Sequence, residues 1–309
     1  MQILGIGNAI VDVICKVEES FITQNNLTKS NMKLIFDENE FKSLLSNLKI
    51  EKTISGGSVA NSIVGLSQLG NKVGFIGKIS KDDLGEKYEI GLKKENVTYF
   101  YKKKEETLPT GTCLILITPD SERTMCTFLG TAGKINENDI DVEAIKKSDI
   151  IFLEGYLWDE GDPKKAFDKA INNSKKVAMS LSDKFCVDRH KTHFLDLVKN
   201  NLDIVFANEE EITSLISAKN FNEVISFGKE IKKHLIVTRG DKGAISINSE
   251  NVSEIGINKN LKIVDLTGAG DLFAAGYLHG YLNNFSQESC LKKGTEMSSK
   301  IIQQIGARL

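Results

Sequence analysis

Six short runs of this chain are apolar almost from end to end: "KVGFIGKI", "SDIIFLEGY", "KKVAMSLSD", "LDIVFANEE", "KHLIVTRG" and "KIVDLTGAGD". A half-buried strand alternates apolar and polar residues, whereas an unbroken run of Ile, Val, Leu and Phe must be covered on both faces. Amphipathic helical stretches separate such runs from about residue 50 onward, which predicts a parallel sheet sandwiched between helices. Open sheets of this kind bind ligands outside the carboxyl ends of their strands. Several runs end there in polar residues or glycine, so Glu154, Asp183, Asn208, Thr238 and Asp271 are expected along one edge.

Two regions break the rhythm. "FITQNNLTKSNMKLIF" and "VTYFYKKKEETLPTGTCLILITPDSERTMCTFLG" are rich in β-branched residues and carry turn signals, among them Pro119-Asp120-Ser121. Both read as antiparallel strands too short to bury a core alone. They predict a small sheet projecting over the carboxyl-end edge, or else a plain extension of the main sheet. At 309 residues the expectation is one α/β domain spanning 1–309, with a lid formed by segments of about 14–37 and 98–130.

Charge narrows the class of partner. Lys and Arg number 40 against 42 Asp and Glu, and the longest basic cluster, Lys102-Lys103-Lys104, adjoins Glu105-Glu106, so no nucleic-acid groove is expected. No segment approaches the ~20 apolar residues of a membrane span. "MQILGIGNAIVDVICKV" has Asp12, two glycines and no basic region before its apolar residues, and reads as a first strand rather than a signal peptide. Cys15, Cys113, Cys126, Cys186 and Cys290 are odd in number and form no C-x-x-C, which points to a reducing, cytoplasmic compartment. The histidines of "HKTH" at 190–193 lack further metal ligands and read as a solvated helix face.

The run "VDLTGAGDLFAAGYLHG" puts Gly268, Ala269, Gly270 and Asp271 where an apolar segment gives way to a helix. Backbone N–H groups and the helix dipole converge at such a turn, so an anion is welcome, and the glycines let it come close. A dinucleotide fingerprint would need Gly at position 273, where Phe273 stands, and no G-x-x-x-x-G-K-[ST] occurs. Asp271 would repel an anion. It is either a helix-capping acid or a base that takes a proton from an attacking hydroxyl. At a helix start its pKa should be low. Gly276 and Gly280, four apart on one helix face, suit close packing against a neighbouring helix.

"DLTGAGD" with its flanks resembles the signature of the ribokinase-like (PfkB) kinases, with Leu266 where Thr is commoner. "GNAIVD" at 7–12, "SGGSVANS" at 55–62, "PTGTCLILITPDSERTMCTFLG" at 109–130, "NEEE" at 208–211 and "TRG" at 238–240 agree in order, over nearly the whole chain. "GNAIVD", "PTGTC", "SERTMCTFLG", "FLEGY" and "LSDKFCVDR" look like the adenosine kinase branch more than the sugar kinases. The resemblance implies a three-layer α/β/α ribokinase-like domain with a mostly parallel sheet and a small β-sheet lid. It implies transfer of the ATP γ-phosphate to a ribose 5′-hydroxyl with Mg²⁺. A sugar kinase acting on ribose, fructose or a related compound is the alternative, and a nucleoside-binding protein without turnover is a third reading.

Carried onto this sequence, the resemblance makes Asp271 the base and the amides of Gly268, Ala269, Gly270 and Asp271 the anion hole. Asp12 would grip both ribose hydroxyls with help from Gly56, Gly57 and Asn61, while Asn8 and Ser58 fall near the nucleobase. Phe185 would stack on adenine, and Arg123 would reach the phosphates from the lid. Asn208 and Glu211 match the site that holds Mg²⁺ through water, although "NEEE" is also an ordinary acidic helix start. Thr238 and Gly240 would line the ATP phosphates and ribose, with Arg239 adding charge. The chain near Asp265 and the terminal "IGARL" lie where members of the family bind a monovalent cation such as K⁺. A small molecule and ATP are the implied partners, with monomer and lid-mediated homodimer both open.

Overall fold

The computed structural model describes residues 1–120, 122–158 and 161–309, so Ser121 of the expected Pro-Asp-Ser turn lies outside the described residues. Among the described residues the larger of two sheets has nine strands. Their order is Val252–Ile255, Ala244–Ile247, His234–Thr238, Ile204–Asn208, Val177–Ser180, Ile150–Glu154, Ile3–Ile6, Val73–Ile76 and Thr98–Tyr99. From Thr98–Tyr99 to His234–Thr238 every pairing is parallel, and an antiparallel hairpin closes the far edge.

Successive residues of a strand point to opposite faces. Ile3, Phe75, Phe152 and Phe206 therefore pack with Ile63 and Tyr277 of the helices Ser58–Gln68 and Ala269–Leu282. Leu4, Ile76, Leu153 and Val205 turn the other way, against Phe167, Phe194 and Leu215 of the helices Asp162–Asn172, Lys184–Asn200 and Glu209–Ile216. Each such side chain stabilises the fold by about 1.5–3 kcal/mol when removed from water. The result is the three-layer α/β arrangement, with five of the six apolar runs as strands. Ile150–Glu154 is buried at every position.

The sixth run is a correction. Residues 262–267 form no strand, and Ile263 and Leu266 are 62% and 65% exposed, because the hairpin Ala244–Ile247/Val252–Ile255 already occupies that edge of the sheet. The helix Ala269–Leu282 thus follows an irregular segment. It runs close against Gln287–Ile301: a Cβ on Gly276 would stand 2.4 Å from the Lys293 carbonyl oxygen. His190 is buried at a kink in Lys184–Asn200, not on a solvated face.

The smaller sheet has the order Met32–Ile35, Arg123–Phe128, Gly111–Ile117, Ile10–Lys16, Ile50–Ser55. It is mixed rather than antiparallel, since Ile10–Lys16 runs parallel to Gly111–Ile117 and Met32–Ile35 parallel to Arg123–Phe128. Its makeup also differs from the expected 14–37 and 98–130. Thr98–Tyr99 joins the larger sheet, residues 19–24 are helical, and Ile50–Ser55 is an edge strand whose polar, exposed start gave no signal. Three residues, Gly7, Asn8 and Ala9, separate the strand Ile3–Ile6 of one sheet from Ile10–Lys16 of the other. Among the described residues no helix is long and apolar enough to cross a membrane.

Candidate active site

The helix Ala269–Leu282 starts from Gly268, whose φ of 79° is left-handed. A Cβ there would also meet the Ala307 backbone at 2.7 Å, so the turn demands glycine. Residues 268–271 line a cavity of about 430 Å³ with Ser58, Tyr156, Ser182, Asn208, Glu211 and Thr238. A Cβ on Gly270 would meet nothing within 4 Å, so its backbone faces open space. The Ala269 amide donates to the Leu266 carbonyl, which takes it out of the expected anion hole. The amides of Gly270 and Asp271 belong to the helix's first turn, whose N–H groups lack intrahelical partners.

Asp271 has two fixed donors. Ser58 Oγ lies 2.6 Å from its Oδ1 and Asn61 Nδ2 lies 3.0 Å from its Oδ2. Burial raises its pKa to about 6, although these hydrogen bonds and the charge of Arg308 pull it down. The expectation of a low pKa for a helix-start acid is therefore overturned: desolvation outweighs the favourable partners. Ser58 is likewise placed on Asp271 rather than toward a nucleobase.

Asp12 stands on the strand Ile10–Lys16 against Gly56, where a Cβ would come within 2.6 Å of its Oδ2. Burial raises its pKa to about 7, with Arg308 lowering it and Asp271 raising it. It lines a cleft of about 760 Å³ beneath the smaller sheet, walled by Ile14, Ile54, Ile90, Ile115 and Ile117 and flanked by Asn61, Arg123 and Arg308. Asn61 thus borders the Asp12 cleft while bonding Asp271.

Other expected residues fall elsewhere. Asn8 is buried on Glu154, with Nδ2 and the backbone N–H donating to Oε1 at 3.0 and 3.2 Å. The other oxygen of Glu154 accepts from the Val59 amide at 3.0 Å, and burial raises this carboxyl to about 7. Gly57, at φ 97°, starts the helix that carries Ser58 and Asn61. Phe185 is 83% exposed and lines neither cavity, because Cys186 and Val187 take the buried face of that helix turn. Arg123 donates to Asp265 Oδ2 at 2.5 Å, and Asp265 also accepts from the amides of Gly306 and Thr267. Burial pushes Asp265 up, but these hydrogen bonds and the Arg123 charge outweigh it and hold the carboxyl below its usual range.

A third cavity of about 1030 Å³ adjoins the first, sharing Asn208 and Thr238 with it, and is lined as well by Lys184, Arg239, Gly240 and Lys242. Arg239 is not free to add charge there. It pairs with Glu209 at 3.3 Å and Glu254 at 2.6 Å and covers the Phe221 ring. Asn208 and Glu211 form a capping box: Asn208 Nδ2 and N–H donate to the two Glu211 oxygens at 2.6 and 3.0 Å. Glu211 is buried, which raises its carboxyl to about 7, yet it lines the same cavity as residues 268–271. Among the described residues no three His, Cys, Asp or Glu side chains cluster to hold a metal directly. A water-mediated Mg²⁺ shared with phosphates fits this donor set, since each Glu211 oxygen keeps a second lone pair.

Arg308 and Tyr156 lie in stretches the sequence singled out, "IGARL" and "FLEGY", but sequence reasoning assigned neither a role of its own. Arg308 Nε donates to Asn61 Oδ1 at 3.0 Å, and its charge acts on both Asp12 and Asp271.

The profile of the pfkB family carbohydrate kinases matches residues 6–309. The crystal structure of an adenosine kinase from Sinorhizobium meliloti superposes with a TM-score of 0.90 at 34% identity, covering 100% of this chain and 95% of that one. A probable sugar kinase from Rhizobium etli gives 0.88 at 35% identity, covering 99% and 94%. Adenosine kinase 2 of Arabidopsis thaliana is 25% identical over 98% of this chain and 94% of its own.

Proposed function

The chain belongs to the pfkB family of carbohydrate kinases, phosphotransferases with an alcohol acceptor, and from that premise we propose that it transfers the γ-phosphate of ATP to the 5′-hydroxyl of adenosine. One arrangement carries the reading. Asp12 lines one cavity and Asp271 the other; Asn61 borders the Asp12 cleft and donates to Asp271, and isoleucines wall the cleft on the Asp12 side. A carboxylate accepts hydrogen bonds from two vicinal hydroxyls, and an apolar slot beyond it suits a flat, neutral base. Free ribose leaves that slot empty. Ile14, Ile54, Ile115 and Ile117 thus take the part expected of Phe185.

ATP would lie along the cavity of Asn208, Thr238 and Gly240, its γ-phosphate over Gly270. The open face of Gly270 and the start of the helix stabilise charge on the transferring group. Asp271 takes the 5′-hydroxyl proton. With a pKa near 6 it is ionised at neutral pH, and the loose transition state of phosphoryl transfer demands position more than strong basicity. When Mg²⁺ is bound with ATP it neutralises phosphate charge, and Asn208 and Glu211 are the pair that would hold it through water. Buried, unpaired cysteines suit a reducing compartment such as the cytoplasm.

The similarity to a probable sugar kinase keeps a second acceptor class in view. ATP consumption by the purified protein over adenosine, 2′-deoxyadenosine, other nucleosides, ribose and fructose tests both. Adenosine should give the highest kcat/KM and 2′-deoxyadenosine a much lower one, because a lost hydroxyl leaves a buried carboxylate partly unpaired at about 1–3 kcal/mol. A kcat/KM for ribose or fructose at or above that for adenosine overturns the nucleoside reading.

A further inference from the structure

Arg308 has no part in the transfer described above, yet it stands in the Asp12 cleft. Backbone contacts fix its segment: Gly306 N–H donates to Asp265 at 2.8 Å, Ala307 packs on Gly268, and Gln68 and Gln304 side chains donate to the carbonyls of Leu309 and Arg308. The guanidinium is thus aimed by a braced main chain. Its Nε is spent on Asn61, but Nη2 is shielded from solvent and has no partner. Asp12, Asp271, Tyr88 and Glu95, from one strand and two helices, all act on its charge. A guanidinium donor kept dry and unpaired is costly unless a bound group completes it.

We propose that Arg308 binds the acceptor, donating through Nη2 to a ring or hydroxyl oxygen of the polyol whose vicinal hydroxyls Asp12 accepts. The two residues are complementary. When ionised, Asp12 can only accept hydrogen bonds, and Arg308 can only donate them, so together they select a ring that presents both hydroxyl protons and a free lone pair. The pair rests on the polyol-binding part of the reading above but not on the nucleobase.

Arg308→Lys, Arg308→Gln and Arg308→Ala, compared by steady-state kinetics on whichever alcohol the wild type turns over best, test this. The expected result is a KM for the acceptor raised about tenfold or more in Arg308→Gln and Arg308→Ala, a smaller rise in Arg308→Lys, and a KM for ATP within about twofold of wild type. Methylguanidine should restore part of the loss in Arg308→Ala. Unchanged acceptor KM overturns the proposal, as does a parallel rise in both KM values with a fall in Tm, which marks a structural peg. If Arg308→Ala fails to fold, Arg308→Lys and acceptor binding by calorimetry decide in its place. A wild type that ignores adenosine but phosphorylates another polyol removes the nucleoside reading and leaves this test intact.

Discussion

Arg123, at the start of a strand in the smaller sheet, donates to Asp265 Oδ2 at 2.5 Å, and Asp265 lies in the segment that leads to Gly268. One ion pair therefore ties the smaller sheet to the turn that leads into the cavity of residues 268–271. With side-chain exposures of 20% and 9% it is sheltered enough to matter. Arg123→Ala should speed hydrogen exchange in the strands Ile10–Lys16 and Gly111–Ile117, and saturating acceptor should restore protection by holding the sheet down from within. Equal exchange in variant and wild type would show that the pair does not hold the smaller sheet in place.

Asp271→Asn should lower kcat by about 10²-fold or more while sparing nucleotide binding, since general-base contributions run to ~10²–10⁴. It should also change stability in a pH-dependent way. The carboxyl ionises near 3.8 in an ordinary setting and near 6 in the fold, so its stabilising contribution is complete below 3.8 and lost as pH rises through 6. Asn carries no such loss. Between pH 4 and pH 8 the Tm of the variant should therefore climb relative to wild type, by the equivalent of about 1–3 kcal/mol. A constant difference in Tm across that range would show that burial does not perturb the carboxyl.

The acid limb of kcat/KM should fall near pH 6, with Asp12 protonating close by. Ser58 lowers the pKa of Asp271 by donating to it, so Ser58→Ala should move that limb upward by roughly one unit, the worth of a hydrogen bond to a charged group. A profile that keeps its midpoint would mean another group governs the limb.

Gly270 and Gly268 should part company on substitution. Gly270→Ala places its methyl group in open space, so Tm should hold or rise slightly while kcat/KM for ATP drops sharply. Gly268→Ala meets the Ala307 backbone and a left-handed φ, so it should cost stability first. Matching losses of Tm in the two would contradict this division.

Glu211→Gln should raise the Mg²⁺ concentration for half-maximal rate by several-fold, whereas Glu209→Gln, which removes an acidic partner of Lys242 and one of two of Arg239, should leave it alone. A titration in which both variants shift alike would indicate general acidity instead of a local site.

The central strands of the large sheet were legible because burial on both faces writes itself as unbroken apolar runs, as at Ile150–Glu154, whereas those of the edge hairpin, Ala244–Ile247 and Val252–Ile255, were not. Residues 262–267 copy that composition without being buried, because a hairpin had claimed the edge they would need. Ile50–Ser55 failed in the opposite sense: an edge strand needs few apolar residues, so nothing in "IEKTIS" announced it. Within the site, Asp271 and Asp12 could be found from their motifs, but their raised pKa values are products of enclosure, which no motif encodes. Arg308 shows the remaining limit. Its importance comes from a three-dimensional meeting with Asn61, 247 positions away in sequence.

The three residues Gly7, Asn8 and Ala9 are all that separates a strand of the large sheet from the strand that carries Asp12. Asp12, Ile14, Ile115 and Ile117 ride on the smaller sheet, while residues 268–271 are rooted in the three-layer body. On the proposed reading, acceptor choice and phosphoryl chemistry would rest largely on separately mounted parts. Substitutions under the smaller sheet would then retune which alcohol enters while sparing the machinery proposed for the phosphate. A fold divided this way can diversify its diet without reinventing its reaction, and proteins named for a nucleoside and for a sugar can stand at nearly equal distance from the same chain.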